Sequence, residues 1–467
     1  MTLTKELKMV DGVRIVVPDS LNLITSYVLQ EQQDWFEDEI KFVRHLLQSG
    51  DQVIDIGANY GVYTLSMAKK VGSKGGVWAF EPASSTAKFL ADGIAANNFT
   101  WVVLEQSALS NKCGTAQISL NLNSELNALV HGLTPIGASE AVILVTLDEC
   151  MGRYDWSDIA FMKIDAEGEE ENIIKGGKEF FSNQSPLIQY EIKASKDYHM
   201  ELVKYFAAIG YDSYRLVPGL DLLVPFDAES PPDGYLLNLF CCKQDRANLL
   251  ISQGFLLDPT VFSTTTCMEK LLNNNCKYGW QHSIAKLSYG KEFSNLWEQG
   301  EINGHNSEMI VALSFYAISQ DCLLSSTERF SALEASFRAL KALCEEKPSH
   351  LRLSSLTRVA SDYGARSISA VALQQLHKNI TQTEKIDLSE PFLTAGNRFD
   401  SIPPGNSIGV WVMAFILEEL ERLSSFSSFY TGMSALQRLE TIKLLGFGSE
   451  EMDRRLSLLR ERFHLNT

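Results

Sequence analysis

The chain has 467 residues, 45% apolar and 21% charged, with 30 Gly and 13 Pro, a globular composition that excludes collagen-like and disordered classes. At roughly 150 residues per domain, two or three domains are expected rather than one core. With 41 Lys and Arg against 58 Asp and Glu the formal charge is −17, which repels nucleic-acid phosphates and anionic lipid, and no basic cluster offsets it, so nucleic acid is not an expected partner.

The N-terminal stretch MTLTKELKMVDGVRIVV is too charged to hold the apolar core of a signal peptide. Val13 to Pro18 and Tyr27 to Gln30 are predicted to form a small hairpin, followed by a helix from about Asp34 to Gln48 that ends near Gly50. Residues 1–49 then form a lid or an extra layer. Short β-branched runs alternate with helical stretches beyond it. The predicted strands are Val53 to Ile56, Val77 to Phe80, Trp101 to Glu105, Ile159 to Ile164 and Leu187 to Ile192. The helices between them are Tyr63 to Val71, Ser84 to Asn97, Glu169 to Phe181 and His199 to Ile209.

Such a βαβ series predicts an α/β fold with a parallel sheet over residues 50–250. An insertion from Asn111 to Val145 carries strand-like Ala116 to Leu120 and Ala141 to Val145 around the polar NLNSELNALVHG. Asp212 to Val217 and Tyr235 to Cys242 have no helix pattern between them and predict an antiparallel pair at the sheet edge.

After about Gln253 the apolar spacing becomes helical, so residues 256–467 are expected to be an all-α domain. Ser325 and Glu328 form a capping box, Gly446 stops the helix of Leu436, Leu439, Ile442 and Leu445, and Ser449 caps the last one. Pro403, Pro404 and Gly405 divide the region. The most apolar run, Ile408 to Leu417, has ten residues where a bilayer span needs about twenty. The eight cysteines show neither CxxC nor zinc spacing and read as reduced thiols, so the expected location is cytoplasmic, with no membrane insertion.

The chemistry sits at the strand ends. VIDIGANYGVYTL places Asp55, Gly57, Ala58, Asn59 and Gly61 in the turn after the first core strand, where glycines let a ligand approach the backbone. Glu81 ends the next strand in VWAFEP, where a carboxylate can accept both ribose hydroxyl protons. The turn lacks G-x-G-x-x-G and the P-loop Gly-Lys-Ser/Thr, and its acidic Asp55 suits a ligand bearing an ammonium or a sulfonium rather than a pyrophosphate. A third element, AFMKIDAEGEEENIIKGG, sets Asp165 and Glu167 after the fourth strand.

On GDQVIDIGANYGVYT, AFEP, EQSALSNKCG, TLDEC and KIDAEGEEENIIKGG, the sequence resembles the FkbM family of S-adenosylmethionine-dependent methyltransferases over roughly residues 35 to 245. The resemblance implies a Rossmann-like class I methyltransferase sheet with an antiparallel edge strand, S-adenosylmethionine as cofactor, and O-methylation of a hydroxyl on a sugar or natural product. Carried over by position, it implies that Asp55, Gly57, Ala58, Asn59 and Gly61 hold the methionine part of the donor, with Tyr63 and Thr64 also in the cofactor site. Glu81 with Pro82 would hold the ribose, and Ser107 and Ala108 would line the adenine. Asp165 would lie near the departing methyl. Glu169 to Glu171 are more acidic than the family usually has there.

A hydroxyl acceptor needs its proton taken. Asp165 is the first expected base and Glu191 the second, with Lys163 orienting Asp165 from the same strand face. The plainer alternatives are that Asp165 caps the following helix and that Glu191 pairs with a lysine. His131 and His199 are weaker candidates. Asp165, Glu167 and Glu191 also have the oxygen chemistry for Mg²⁺, but a helix N-terminus accounts for the acidic run, and no metal is expected. Trp35, Tyr60 and Tyr63 read as core or lid packing more than as stacking surfaces, and Cys241 and Cys242 as buried thiols. Trp280, Trp297 and Trp411 are candidate surface contacts with burial the default. The helical half is expected to recognise the acceptor or to mediate homo-oligomer formation. A non-catalytic donor-binding scaffold is the alternative function.

Overall fold

A computed structural model of the chain describes residues 3–121, 123–130, 137–194, 197–258, 284, 286–302, 307–383 and 386–465. The chain divides into two units, Met1–Leu216 with Leu223–Pro232 and Leu236–Gln253, and Val217–Leu222 with Asp233–Tyr235 and Gly254–Thr467.

The N-terminal segment pairs β1 (Thr4–Lys8) antiparallel with β2 (Arg14–Pro18), followed by α1 (Ile24–Gln32) and α2 (Asp38–Leu46). The expected hairpin partner Tyr27 to Gln30 is helical instead. Tyr27, Val28 and Leu29 are all buried, and so short an apolar run does not distinguish strand from helix. The partner used, TKELK, alternates exposed and half-buried residues, with Glu6 and Lys8 on the open face and Lys5 beside Leu7 on the other. α2 forms a layer on the central sheet: Phe42 is fully buried, with its ring 5.2 Å from that of Phe240.

Beyond this layer come β3 (Gln52–Ile56), α3 (Val62–Val71), β4 (Gly76–Phe80), α4 (Ser84–Asn97) and β5 (Val102–Glu105). After β6 (Ser107–Leu109) the insertion supplies β7 (Gly114–Ser119), β8 (Ala128–Leu129) and β9 (Ser139–Val145). Then follow α5 (Leu147–Tyr154), β10 (Ile159–Ile164), α6 (Glu170–Lys175), α7 (Lys178–Asn183) and β11 (Leu187–Glu191). A small pair, β12 (Lys193–Ala194) and β13 (Asp197–Tyr198), precedes α8 (Glu201–Ala208), β14 (Asp212–Val217), β15 (Leu222–Pro225), β16 (Asn238–Cys242) and α9 (Gln244–Gln253).

The main sheet has the order β15-β14-β16-β11-β10-β3-β4-β5, and β5, β4, β3, β10 and β11 are mutually parallel. This is a Rossmann-like α/β sheet, with helices between its parallel strands. β16 runs antiparallel to both β11 and β14. The antiparallel pair exists as expected, but its later strand is inserted between β11 and β14, and β15 forms the edge. The insertion folds with β6 into a separate four-stranded sheet, order β6-β9-β7-β8, around Ala108, Ile118, Val142 and Leu144. The predicted helix Glu169 to Phe181 is two helices. At Gly176 a Cβ would come within 2.1 Å of the Ser110 carbonyl, so the backbone must bend there against β6 and its loop.

Alternation along the strands sorts the side chains. Ile54, Ile56, Met162, Ile164, Ile188, Tyr190, Leu239 and Cys241 face one core cluster with Phe180, Phe181, Leu202 and Phe206. Asp55, Lys163, Gln189, Glu191 and Asn238 therefore share the opposite face, with Lys163 in register with both Asp55 and Gln189, and Glu191 with Asn238. The chain leaves β3 for β4 on one side and returns to β10 on the other, which opens a crevice at the carboxyl ends of β3 and β10.

Beyond Gly254 the described residues are helical apart from loops and turns. The helices are Gly290–Ile302, Ser307–Ser319, Ser326–Glu346, His350–Tyr363, Arg366–Thr383, Ile408–Leu423, Ser428–Thr431, Leu436–Leu445 and Glu450–Arg462. Both halves of the Ser325 and Glu328 capping box are formed, Gly446 ends its helix at φ 76°, and Ser449 accepts the Met452 amide hydrogen. Trp297 and Trp411 are buried, each donating its indole N–H to a backbone carbonyl, Leu388 and Ile402 respectively. Among the described residues no helix is long and apolar enough to cross a membrane. Cys113 and Cys322 are exposed, Cys150, Cys241, Cys242 and Cys344 are buried, and all six are free. Cys267, Cys276, His131 and Trp280 lie outside the described residues.

The closest approach in the sheet unit is at Gly57, φ 77°, where a Cβ would stand 1.7 Å from the Asp165 carbonyl oxygen. Gly57→Ala combines left-handed strain with an overlap that only displaced backbone can relieve, so it is expected to cost about 3 kcal/mol or more in urea unfolding. A variant as stable as the parent would refute that contact.

Candidate functional site

The turn after β3 is held open by backbone geometry that its sequence allows. Gly57, Asn59 and Gly61 all have positive φ, at 77°, 49° and 89°. The Gly57 and Ala58 amides both donate to the Phe80 carbonyl at 3.0 Å, fastening the turn to β4. Glu81, just beyond β4, accepts from the Asn59 amide at 2.9 Å and the Ala83 amide at 3.0 Å. Burial pushes its carboxyl up to about 7 in spite of these two donors. Pro82 is half-buried beside it.

Asp55 is 1% exposed. Its Oδ2 accepts from the Thr64 hydroxyl at 2.5 Å, while Oδ1 is buried with no hydrogen-bond partner. Burial raises the Asp55 carboxyl, and Lys163 and Thr64 oppose that rise. Thr64 is itself fully buried, so its hydroxyl acts by fixing the Asp55 carboxylate. Ser107 and Ala108 are both buried in β6, with the Ser107 Oγ also lacking a partner.

Lys163 is buried and donates to Asp165 Oδ2 at 2.6 Å. Burial pulls its ammonium pKa down, but Asp165, Asp55 and Glu37 outweigh it and hold the group charged. Its Nζ lies 5.0 Å from the centre of the Tyr63 ring. The Tyr63 hydroxyl donates to Glu37 at 2.7 Å and accepts from Gln189 Nε2 at 3.0 Å, while Tyr60 is buried edge-on to Phe89. Trp35 packs on Phe36.

Asp165 does not cap the next helix. Glu170 accepts the Ala166 and Gly168 amides at 3.0 and 3.3 Å, and the turn passes through Glu167 and Gly168 at positive φ. Nor does Glu191 form an ion pair with a lysine among the described residues. Burial and the neighbouring charges of Asp165 and Glu167 push its carboxyl up to about 9. Oxygens of Asp165, Glu167 and Glu191 all lie within 4.8 Å of one another, a set that can hold a cation or take up a proton. His199 is tied by its amide to the Ile192 carbonyl and takes no part in this group.

Sequence reasoning did not single out Glu37, Gln189 or Asn238, and took in the turn Ser124–Leu126 only as part of the polar stretch of the insertion. Gln189 and Glu191 do carry a signal, two polar residues two apart in the otherwise apolar PLIQYEI. Glu37 carries none, because only tertiary packing brings it to Tyr63. The insertion turn reaches the site through Ser124, whose hydroxyl donates to Asn59 Oδ1 at 3.0 Å.

Residues 55–213 match the family model of the methyltransferase FkbM domain. No curated protein matches the chain. Among solved structures, it is similar to a putative rRNA methylase from Clostridium thermocellum, at 11% identity over 45% of this chain and 95% of that one, with a TM-score of 0.29. A SAM-dependent O-methyltransferase from Thermotoga maritima is similar at 13% identity over 51% of this chain and 77% of that one, with a TM-score of 0.25. A putative methyltransferase from Streptococcus mutans in complex with SAH is similar at 9% identity over 44% and 95%, with a TM-score of 0.27. The family match spans the glycine turn, Glu81, Lys163, Asp165 and Glu191 together, and through it the chain carries a methyltransferase FkbM domain.

Proposed function

We propose that this methyltransferase domain uses S-adenosylmethionine to methylate a hydroxyl oxygen of a sugar or natural-product acceptor. The observation that carries the donor assignment is the Asp55 Oδ1 atom, a buried carboxylate oxygen with no partner beside a positive-φ glycine turn. Leaving such an atom unsatisfied costs about 1–3 kcal/mol or more, and a donor-rich cationic ligand removes that cost. S-adenosylmethionine fits this demand, and when bound it supplies a methyl carbon already activated by its sulfonium. Asp55 and the turn from Gly57 to Gly61 would hold its amino-acid end, Glu81 its ribose, and Ser107 and Ala108 its adenine.

Asp165 and Glu191 take the role of proton acceptor for the hydroxyl, Asp165 first. Lys163 fixes the orientation of Asp165 through the 2.6 Å contact. Glu191 holds its proton in the free protein, since its carboxyl is pushed up to about 9. Positive charge brought into the crevice favours its ionised form and readies it to take a proton. The protein's contribution is otherwise alignment and exclusion of water, worth up to about 7–11 kcal/mol in favourable cases. Residues 256–467 contain no comparable constellation among the described residues, and we assign them to acceptor recognition or self-association.

Asp55→Ala and Glu81→Ala are expected to abolish donor binding in calorimetry. Asp165→Asn is expected to leave binding largely intact and to lower turnover to S-adenosylhomocysteine by about 10²–10⁴-fold. Unchanged turnover in Asp165→Asn would remove it from the mechanism, and no product with any hydroxylated acceptor would leave only a donor-binding scaffold.

Glu191 also sets a pH dependence. With a folded value of about 9 against an ordinary 4.5, its contribution to stability is complete below about 4.5 and lost as pH rises through about 9. The donor-free protein should therefore lose stability from pH 5 to 9, and Glu191→Gln should flatten that decline in thermal unfolding. Identical pH profiles for the two proteins would show that Glu191 titrates normally.

A further inference from the structure

The insertion sends one turn back over the glycine turn. Ser124 bonds Asn59 at 3.0 Å, and Glu125 Oε1 accepts from the hydroxyl of Thr25, a buried residue of α1. The turn is thus fastened from two sides, by the loop after β3 and by the N-terminal layer. Glu125 Oε2 and Asn123 Oδ1 are left buried with no hydrogen-bond partner. Both are acceptors, as is Asp55 Oδ1.

The charge of Glu125 acts on Tyr60, in the turn after β3, and on Glu167, in the turn after β10. It is therefore within electrostatic reach of both loops whose facing edges form the crevice, and Ser124 beside it is bonded to the first of them. Asp55 acts on Glu81, Asp165 acts on Asp55 and Glu167, and Lys163 supplies a positive charge against Asp55 and Glu167. An anion is repelled from such a place, and a neutral ligand leaves the excess charge unbalanced. An ammonium, with three N–H donors and a positive charge, answers both the unpaired acceptors and the charge.

We propose that Glu125, carried by the insertion, is a donor-binding residue that holds the ammonium of the amino-acid end of S-adenosylmethionine, opposite Asp55. This rests on the donor assignment made above. The insertion then does more than border the acceptor side, because it closes the donor pocket from above the glycine turn and links it to α1 through Thr25.

Calorimetry of the full chain with S-adenosylmethionine, S-adenosylhomocysteine and 5′-methylthioadenosine, which lacks the amino-acid end, tests the assignment. Glu125→Gln keeps the shape and the oxygen that accepts from Thr25 but removes the charge. It is expected to weaken the first two ligands by about tenfold or more, the scale of a lost charged hydrogen bond, and to leave methylthioadenosine within about twofold. Glu125→Asp, which keeps the charge, should recover part of the loss. Equal weakening of all three ligands would reduce Glu125 to a support for the turn, and no change in any would remove it from the pocket. Failure of the parent protein to bind any of the three would instead overturn the donor assignment itself, and this proposal with it.

Discussion

The arrangement depends on a single buried cation. Lys163 stands in the middle of the sheet, in register with Asp55 on one side and Gln189 on the other, and reaches Asp165 at 2.6 Å. Without it the carboxylates at the strand ends would face one another across a crevice of low dielectric, where like charges repel strongly. With it, Asp165 is oriented and Asp55 is partly stabilised in its charged form. The ion pair itself contributes little net stability, because burying the Lys163 ammonium is expensive. What it confers is a fixed geometry, shared by Tyr63, Gln189 and Glu37 through their hydrogen bonds.

Much of this was readable from the sequence, because the central strands are buried on both faces and their polar residues stand out. Asp55, Lys163, Gln189 and Glu191 interrupt β-branched or aromatic runs, and the period of two puts them on one face. Glycine spacing located the crevice, since Gly57 must lie against the Asp165 carbonyl. Other features were set by contacts distant in sequence. Gly176 bends a helix because Ser110 lies against it, and Glu37 is part of the site because α2 packs on Phe240. The hairpin partner of β2 was misread because a charged, half-exposed ribbon such as TKELK lacks the apolar alternation of a core strand.

The helical unit shows the same division. Local signals, the capping box at Ser325 and the stop at Gly446, were legible because they depend on residues within one turn. Its buried ionic network was not. Glu421, fully buried, bonds Arg438 at 2.7 Å and lies 3.4 Å from Arg455, while Glu418 holds Arg398 and Arg422. Nothing in the local sequence indicates that these charges meet, since the pairing comes from helix packing. Such a network specifies one arrangement of helices more than it adds stability.

The contact between Gly57 and the Asp165 carbonyl has a thermodynamic consequence. Two loops that touch through their main chains, each also bonded to a neighbouring strand, behave as one rigid body. A molecule entering between them meets a cradle that is already shaped, so little chain freedom is surrendered on arrival and more of the contact energy appears as affinity.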